Sequence, residues 1–176
     1  MKRLSKNPEF RPRIVVSRCL GFGRCRWNGV ELSAEPLAGL EKIVSFIPVC
    51  PECEIGLGVP RDPIRLVAAG ASIRLLQPAS GRDLTREMAA FSRSFLSRLP
   101  PVAGFVFKSR SPSCGLVDTP LFAGCEATEP LPGKNGPGLF ARAVREEFPA
   151  LPLIDDRGLR NPAARSQWLR EIGVEE

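Results

Sequence analysis

The sequence contains no histidine and no tyrosine among its 176 residues. The first absence excludes Ser-His and Cys-His catalytic pairs and any His-ligated metal site. With tyrosine missing too, acid–base work falls to carboxylates, lysines, thiols or a metal-bound water. Long apolar runs are also lacking, and nothing approaches the roughly 20 residues that span a bilayer. The opening stretch from Met1 to Arg13 is basic and polar, without an apolar signal region. Export is therefore not expected, and a cytoplasmic location is.

What is present suits one compact domain. Hydrophobic residues make up 43% and charged residues 25%, the balance of a soluble globular chain with a sizeable core. Net charge is +6, dominated by arginine. That excess fits a substrate carrying phosphate or a nucleic acid, and equally a solvated basic surface. Six cysteines stand at 19, 25, 50, 53, 114 and 125. In a reducing compartment they are not expected to form a disulfide framework. Any one of them alone also reads as a small buried hydrophobe.

Residues 1–12 form a basic lead-in, and 13–176 read as a single α/β domain. Apolar runs predict strands at 13–17, 43–49, 102–107 and 151–154, with a short hairpin at 64–67 and 72–76. Leu84, Met88, Phe91, Phe95 and Leu99 recur at helical spacing, predicting a core-packed helix over 84–99 with Asp83 as its N-cap. Further helices are predicted at 138–148 and 162–172, with a short one within 30–42. Residues 126–137, rich in Pro and Gly, read as a loop. Buried runs alternating with helices imply a mainly parallel sheet flanked by helices, a Rossmann-like three-layer arrangement.

Cys19, Cys50 and Cys114 each follow an apolar run directly or after a short polar step. In an open parallel sheet the loops beyond the strand carboxyl ends gather into one site. Three cysteines distant in sequence are thus expected to converge there, whereas core cysteines would sit inside the runs. Nearby glycines, Gly21, Gly23, Gly56, Gly58 and Gly115, allow close backbone approach to sulfide or thiolate. Pro51 and Pro112 stiffen two of the ligand loops. Thiolates favour zinc or iron–sulfur centres. Three thiolates on a cubane cluster leave one iron as an open Lewis acid.

Glu52 and Ser111 lie beside this presumed site. Glu52 is a candidate proton handler, or else a loop cap or an ion-pair partner of Arg61. Ser111 and Ser113 are candidate site hydroxyls, or else members of a turn around Pro112. Lys108 reads as a site cation or as a surface charge at a strand end.

Three segments carry a resemblance: Ser17-Arg18-Cys19-Leu20-Gly21, Pro48-Val49-Cys50-Pro51-Glu52, and Lys108 through Cys114-Gly115, which ends in Ser-Pro-Ser-Cys-Gly. Together they resemble the bacterial thiouracil desulfurase family, over residues 13 to 170. The segment from Glu54 to Pro63, with 151–153 and 157–162, is most similar to the desulfurase domain of a two-domain branch linked to tRNA thiouridine desulfuration. That branch's second domain has no counterpart in these 176 residues.

The resemblance implies a 4Fe–4S cluster on Cys19, Cys50 and Cys114, with Glu52 and Ser111 catalytic. Ser17, Lys108 and Ser113 are expected as substrate contacts. It implies non-redox desulfuration of a small thiolated pyrimidine (2-thiouracil, a thiouridine nucleotide, or thiolated tRNA) to the oxo base and hydrosulfide. Cys25, Cys53 and Cys125 exceed that three-cysteine pattern and are expected to be bystanders or supporting thiols. The Cys50–Cys53 pair keeps two other readings open: a zinc-binding nucleic-acid module and a CxxC dithiol oxidoreductase. Gly56, Gly58 and Pro60 argue against the long helix that such a redox pair usually opens.

Overall fold

A computed structural model describes residues 11–174; most of the basic lead-in, residues 1–10, lies outside the described residues. Four strands form a parallel sheet in the order β2-β1-β6-β9. They are β1 (Arg13–Ser17), β2 (Ser45–Val49), β6 (Gly104–Phe107) and β9 (Leu153–Asp155). The two central strands read Ile-Val-Val and Gly-Phe-Val-Phe because parallel sheets are covered on both faces. Ile14, Val15, Val16, Phe105, Val106 and Phe107 are fully buried.

Alternation along these strands divides the core into two layers. Val15, Phe105 and Phe107 face α2 (Thr85–Ser97) and α3 (Leu139–Glu147), which contribute Met88, Leu96, Phe140 and Val144. Ile14, Val16 and Val106 face the other way, onto Leu159 of α4 (Asp156–Arg160) and Trp168 and Leu169 of α5 (Pro162–Glu171). Each fully buried phenylalanine contributes about 1.5–3 kcal/mol by leaving water. The helix–sheet–helix layering matches the α/β fold expected from the sequence.

The Met/Phe stripe of α2 is core, as its spacing indicates, with Phe91 and Phe95 packed around Phe140. Asp83 serves that helix from one position earlier than expected. Leu84 occupies the N-cap, and the Asp83 carboxylate accepts the Thr85 N–H at 2.9 Å. The expected short helix within 30–42 is two 3₁₀ turns, Glu35–Leu37 and Leu40–Lys42.

A second sheet goes well beyond the expected hairpin. Strands β3 (Arg65–Ala69), β4 (Ser72–Gln77), β5 (Arg82–Asp83), β7 (Thr119–Phe122) and β8 (Pro130–Gly136) are ordered β5-β4-β3-β7-β8. The stretch expected as a loop at 126–137 therefore holds β8, paired antiparallel to β7. Its prolines and glycine read as turn chemistry, yet a strand at a sheet edge tolerates them because one side needs no partner. Among the described residues, no helix is long and apolar enough to cross a membrane.

Candidate functional site

Because β2, β1 and β6 are parallel neighbours, their carboxyl ends meet at one edge of the sheet. Cys19 follows β1 in a tight turn, closed by the Leu20 N–H on the Ser17 carbonyl at 2.9 Å. Cys50 ends β2 and caps α1 (Pro51–Glu54), a single turn started by Pro51. Cys114 ends the loop after β6. All three line one cavity of about 590 Å³ at that edge, with Glu52, Ser111, Ser17 and Lys108 also in its wall.

The loop after β6 is held in a special shape. Arg110 has φ +59°, the left-handed region that costs a non-glycine residue energy. Its N–H donates to Asp118 Oδ1 at 2.7 Å. The Ser111 hydroxyl accepts the N–H groups of Ser113 and Cys114 at 3.3 and 3.1 Å. The turn around Pro112 anticipated for these serines is thus present, and Ser111 also lines the cavity. Gly138 packs directly under the loop, where an added Cβ would stand 2.7 Å from the Cys114 nitrogen.

Glu52 is more tightly held than a lone loop carboxylate. Arg61 Nη2 and Nε donate to its Oε2 at 2.7 and 3.1 Å, and the Ser113 hydroxyl donates to its Oε1 at 2.8 Å. The Arg61 ion pair weighed from the sequence is present, while Glu52 still lines the cavity. Ser113, expected at the substrate, is instead buried behind Glu52 and is not among the cavity-lining residues. Its alternate position along the turn aims it at the carboxylate.

Ser17 and Lys108 stand in the cavity wall, and each has a structural partner. The Ser17 hydroxyl accepts the Lys108 N–H at 2.9 Å and contacts the Cys114 side chain. Lys108 Nζ pairs with Asp156 Oδ2 at 2.9 Å, so its charge is tied to the start of α4. Arg18, Arg26, Arg110, Arg157 and Arg160 add positive charge around the cavity. Arg157 and Arg160 are engaged by Asp118 and Glu35.

Cys25 is the thiol that sequence reasoning set aside and the fold brings in. Its side chain contacts both Cys19 and Cys50. Its carbonyl accepts from Arg61 Nη2 at 3.0 Å and lies 3.7 Å from the Cys50 sulfur. The spacing of 25 residues between Cys25 and Cys50 carries no periodic signal, so only the fold reveals this. Cys53, three residues after Cys50, contacts Cys50 and lies 3.9 Å from Arg61 Nη1. Cys125 does not line the cavity.

Crowding sets the protonation of these thiols. The Cys19 side chain pushes Cys25 up to about 12, with burial adding to the rise and the Cys50 contact opposing it. Cys25 and burial likewise push Cys50 up. Burial, then Cys50, raises Cys53 to about 11, against the nearby Arg61 and Arg18 charges. Burial raises Cys114 against its Ser17 and Ser111 contacts.

The donor set fits an iron–sulfur cluster, being all sulfur, free of disulfides and drawn from three separate loops around one cavity. A cubane spreads its thiolates over different irons. A single tetrahedral zinc instead needs its ligands around one point.

The 2-thiouracil desulfurase family matches residues 14–156. YbbK of Bacillus subtilis (strain 168), an uncharacterised protein, is 32% identical over 110 residues, spanning 58% of this chain and 72% of YbbK. A solved structure of the 4Fe–4S-dependent thiouracil desulfidase TudS is 24% identical and aligns with a TM-score of 0.59. The alignment covers 89% of this chain and 99% of TudS, which is a likeness of fold. With the family match running from β1 to the start of α4, this chain belongs to the 2-thiouracil desulfurase family.

Proposed function

We propose that the protein is a cluster-dependent, non-redox desulfurase of thiolated pyrimidines, acting on 2-thiouracil and thiouridine nucleotides in the cytoplasm. The observation that carries this reading is the meeting of Cys19, Cys50 and Cys114 in one cavity with Glu52 in its wall. TudS, described as 4Fe–4S-dependent, supports the choice of cofactor. A 4Fe–4S cluster held by those three cysteines would leave one iron open as a Lewis acid for the thiocarbonyl sulfur.

The chain's own groups would then handle water and protons. The net change is hydrolytic: the thiocarbonyl carbon gains the oxygen of water and loses sulfur as hydrosulfide, with no electron transferred. Glu52 takes the proton of the attacking water, and its position is set by Arg61 on one oxygen and Ser113 on the other. Oε1, which accepts only from the Ser113 hydroxyl, keeps a further lone pair for that water, whereas Arg61 occupies both sites on Oε2. Ser111, whose oxygen accepts two backbone N–H groups, keeps its own O–H to orient the base. Arg18, Arg26 and Arg110 supply positive charge suited to a nucleotide phosphate.

The deciding experiment is anaerobic reconstitution with iron and sulfide. Iron and acid-labile sulfide are quantified, and sulfide release from 2-thiouracil, 4-thiouridine monophosphate and thiolated tRNA is measured. Release that disappears in both Cys19→Ala and Glu52→Ala is the expected result. Tight zinc without labile sulfide would sink the proposal in favour of a zinc-binding module, and activity abolished by Cys53→Ala alone would favour a dithiol oxidoreductase.

A further inference from the structure

The chain has two tryptophans, and their environments are opposite. Trp168 is 2% exposed within the core behind the parallel sheet. Trp27 is 44% exposed and lines the cavity that holds Cys19, Cys50 and Cys114. A tryptophan left this open forgoes a large part of the burial that its apolar surface normally gains. Phe22, Val30 and Val59 are also exposed apolar side chains, but none of them lines the cavity.

The backbone carrying Trp27 is well fixed. The Arg61 N–H donates to the Trp27 carbonyl at 2.8 Å, and Arg61 Nη2 donates to the Cys25 carbonyl at 3.0 Å. The Gly29 N–H closes a turn onto the Arg26 carbonyl at 3.0 Å. Arg61 is the same residue that holds Glu52. Arg61 therefore sets the Trp27 backbone, through its own N–H, and the Glu52 carboxylate, through its guanidinium, in a common frame, while Trp27 stays partly exposed in the cavity wall.

We propose that Trp27 is the stacking wall for the substrate ring and makes the site selective for planar rings over non-planar thiocarbonyl compounds. This inference rests on the desulfurase reading above. An indole offers a broad π face to any base, and such stacking is insensitive to the ring substituents. The wall thus secures the ring while the thiocarbonyl end is free to reach the cysteine-lined floor.

The test uses cluster-loaded protein and the variants Trp27→Ala and Trp27→Phe. For 2-thiouracil, Trp27→Ala raises KM roughly tenfold to a hundredfold, by the usual strength of base–aromatic stacking, with a smaller change in kcat. Trp27→Phe restores most of the affinity. Uracil quenches tryptophan emission in the wild type and leaves it unchanged in Trp27→Phe, where only Trp168 emits. An unchanged KM in Trp27→Ala, or quenching that persists in Trp27→Phe, would overturn the assignment. Sulfide release with an unchanged KM defeats the Trp27 role alone. Trp27-dependent quenching without sulfide release from any thiolated pyrimidine defeats the desulfurase reading and leaves the stacking wall standing.

Discussion

Arg61 places two nitrogens on a single oxygen of Glu52, Nη2 at 2.7 Å and Nε at 3.1 Å, with both side chains largely shielded from water. The remaining Arg61 nitrogen, Nη1, donates to the Gly58 carbonyl at 2.7 Å. Arg61 thereby joins α1, the loop after β1 and the loop ahead of β3 at the wall of the cavity.

Removing one partner of a buried pair leaves the other charge uncompensated. Arg61→Ala should therefore lower unfolding free energy by about 3 kcal/mol. Arg61→Lys should recover only part of the loss, because a lysine cannot reproduce the fork. Urea denaturation of the cluster-free protein reads both, and equal stability of wild type and Arg61→Ala would contradict the role.

Ser113 acts on Glu52 from behind and does not line the cavity. Ser113→Ala should reduce kcat for sulfide release about tenfold while leaving KM for 2-thiouracil unchanged, the loss of one hydrogen bond to a charged group. Ser113→Thr should restore kcat. A rise in KM at constant kcat would instead favour the direct substrate contact expected from the sequence.

Gly138 has no room for a side chain beneath the Ser113–Cys114 peptide. Gly138→Ala should force that backbone outward and cost about 1–3 kcal/mol by overpacking. Because Cys114 moves with it, the variant should also take up less iron and labile sulfide on reconstitution. Full cluster content with unchanged stability would show that the loop yields freely.

Asp156 supplies a pH signature. Burial disfavours its charged form, yet the Ser109 N–H and then the Lys108 and Ser109 side chains outweigh burial and hold the carboxyl below its ordinary range. With the folded value below the unfolded one of about 3.9, the ion stabilises the fold above about pH 4 and loses that effect as pH falls through the folded value. Asp156→Asn should thus be less stable than wild type by about 1–2 kcal/mol at pH 7. The difference should shrink toward zero as pH falls below about 4. A difference independent of pH would mean that the charge is not responsible.

Some of this was legible in the chain as written. The Ile-Val-Val and Phe-Val-Phe runs state buried parallel strands, because an α/β sheet needs apolar residues on both faces. Their positions just before Cys19 and, across a loop, Cys114 were enough to place those thiols beyond strand ends. The apolar stripe of α2 likewise follows from helical spacing. Strand β8 was not legible, since Pro130, Pro132 and Gly133 mimic a loop and only an edge position makes them acceptable.

The sequence by itself determined the chemistry available to this protein: no imidazole, no phenol, six thiols, an excess of arginine, and three cysteines set just past apolar runs. Those are local properties, carried by residue type and by short-range periodicity. The tertiary structure alone decided which thiols and charges meet. Cys25 contacts Cys19 and Cys50, Arg61 reaches Glu52, Lys108 reaches Asp156 across 48 residues, and Ser113 turns to Glu52 across 61. Such pairings depend on strand order and loop closure, and neither leaves a repeat or a fixed spacing in the chain.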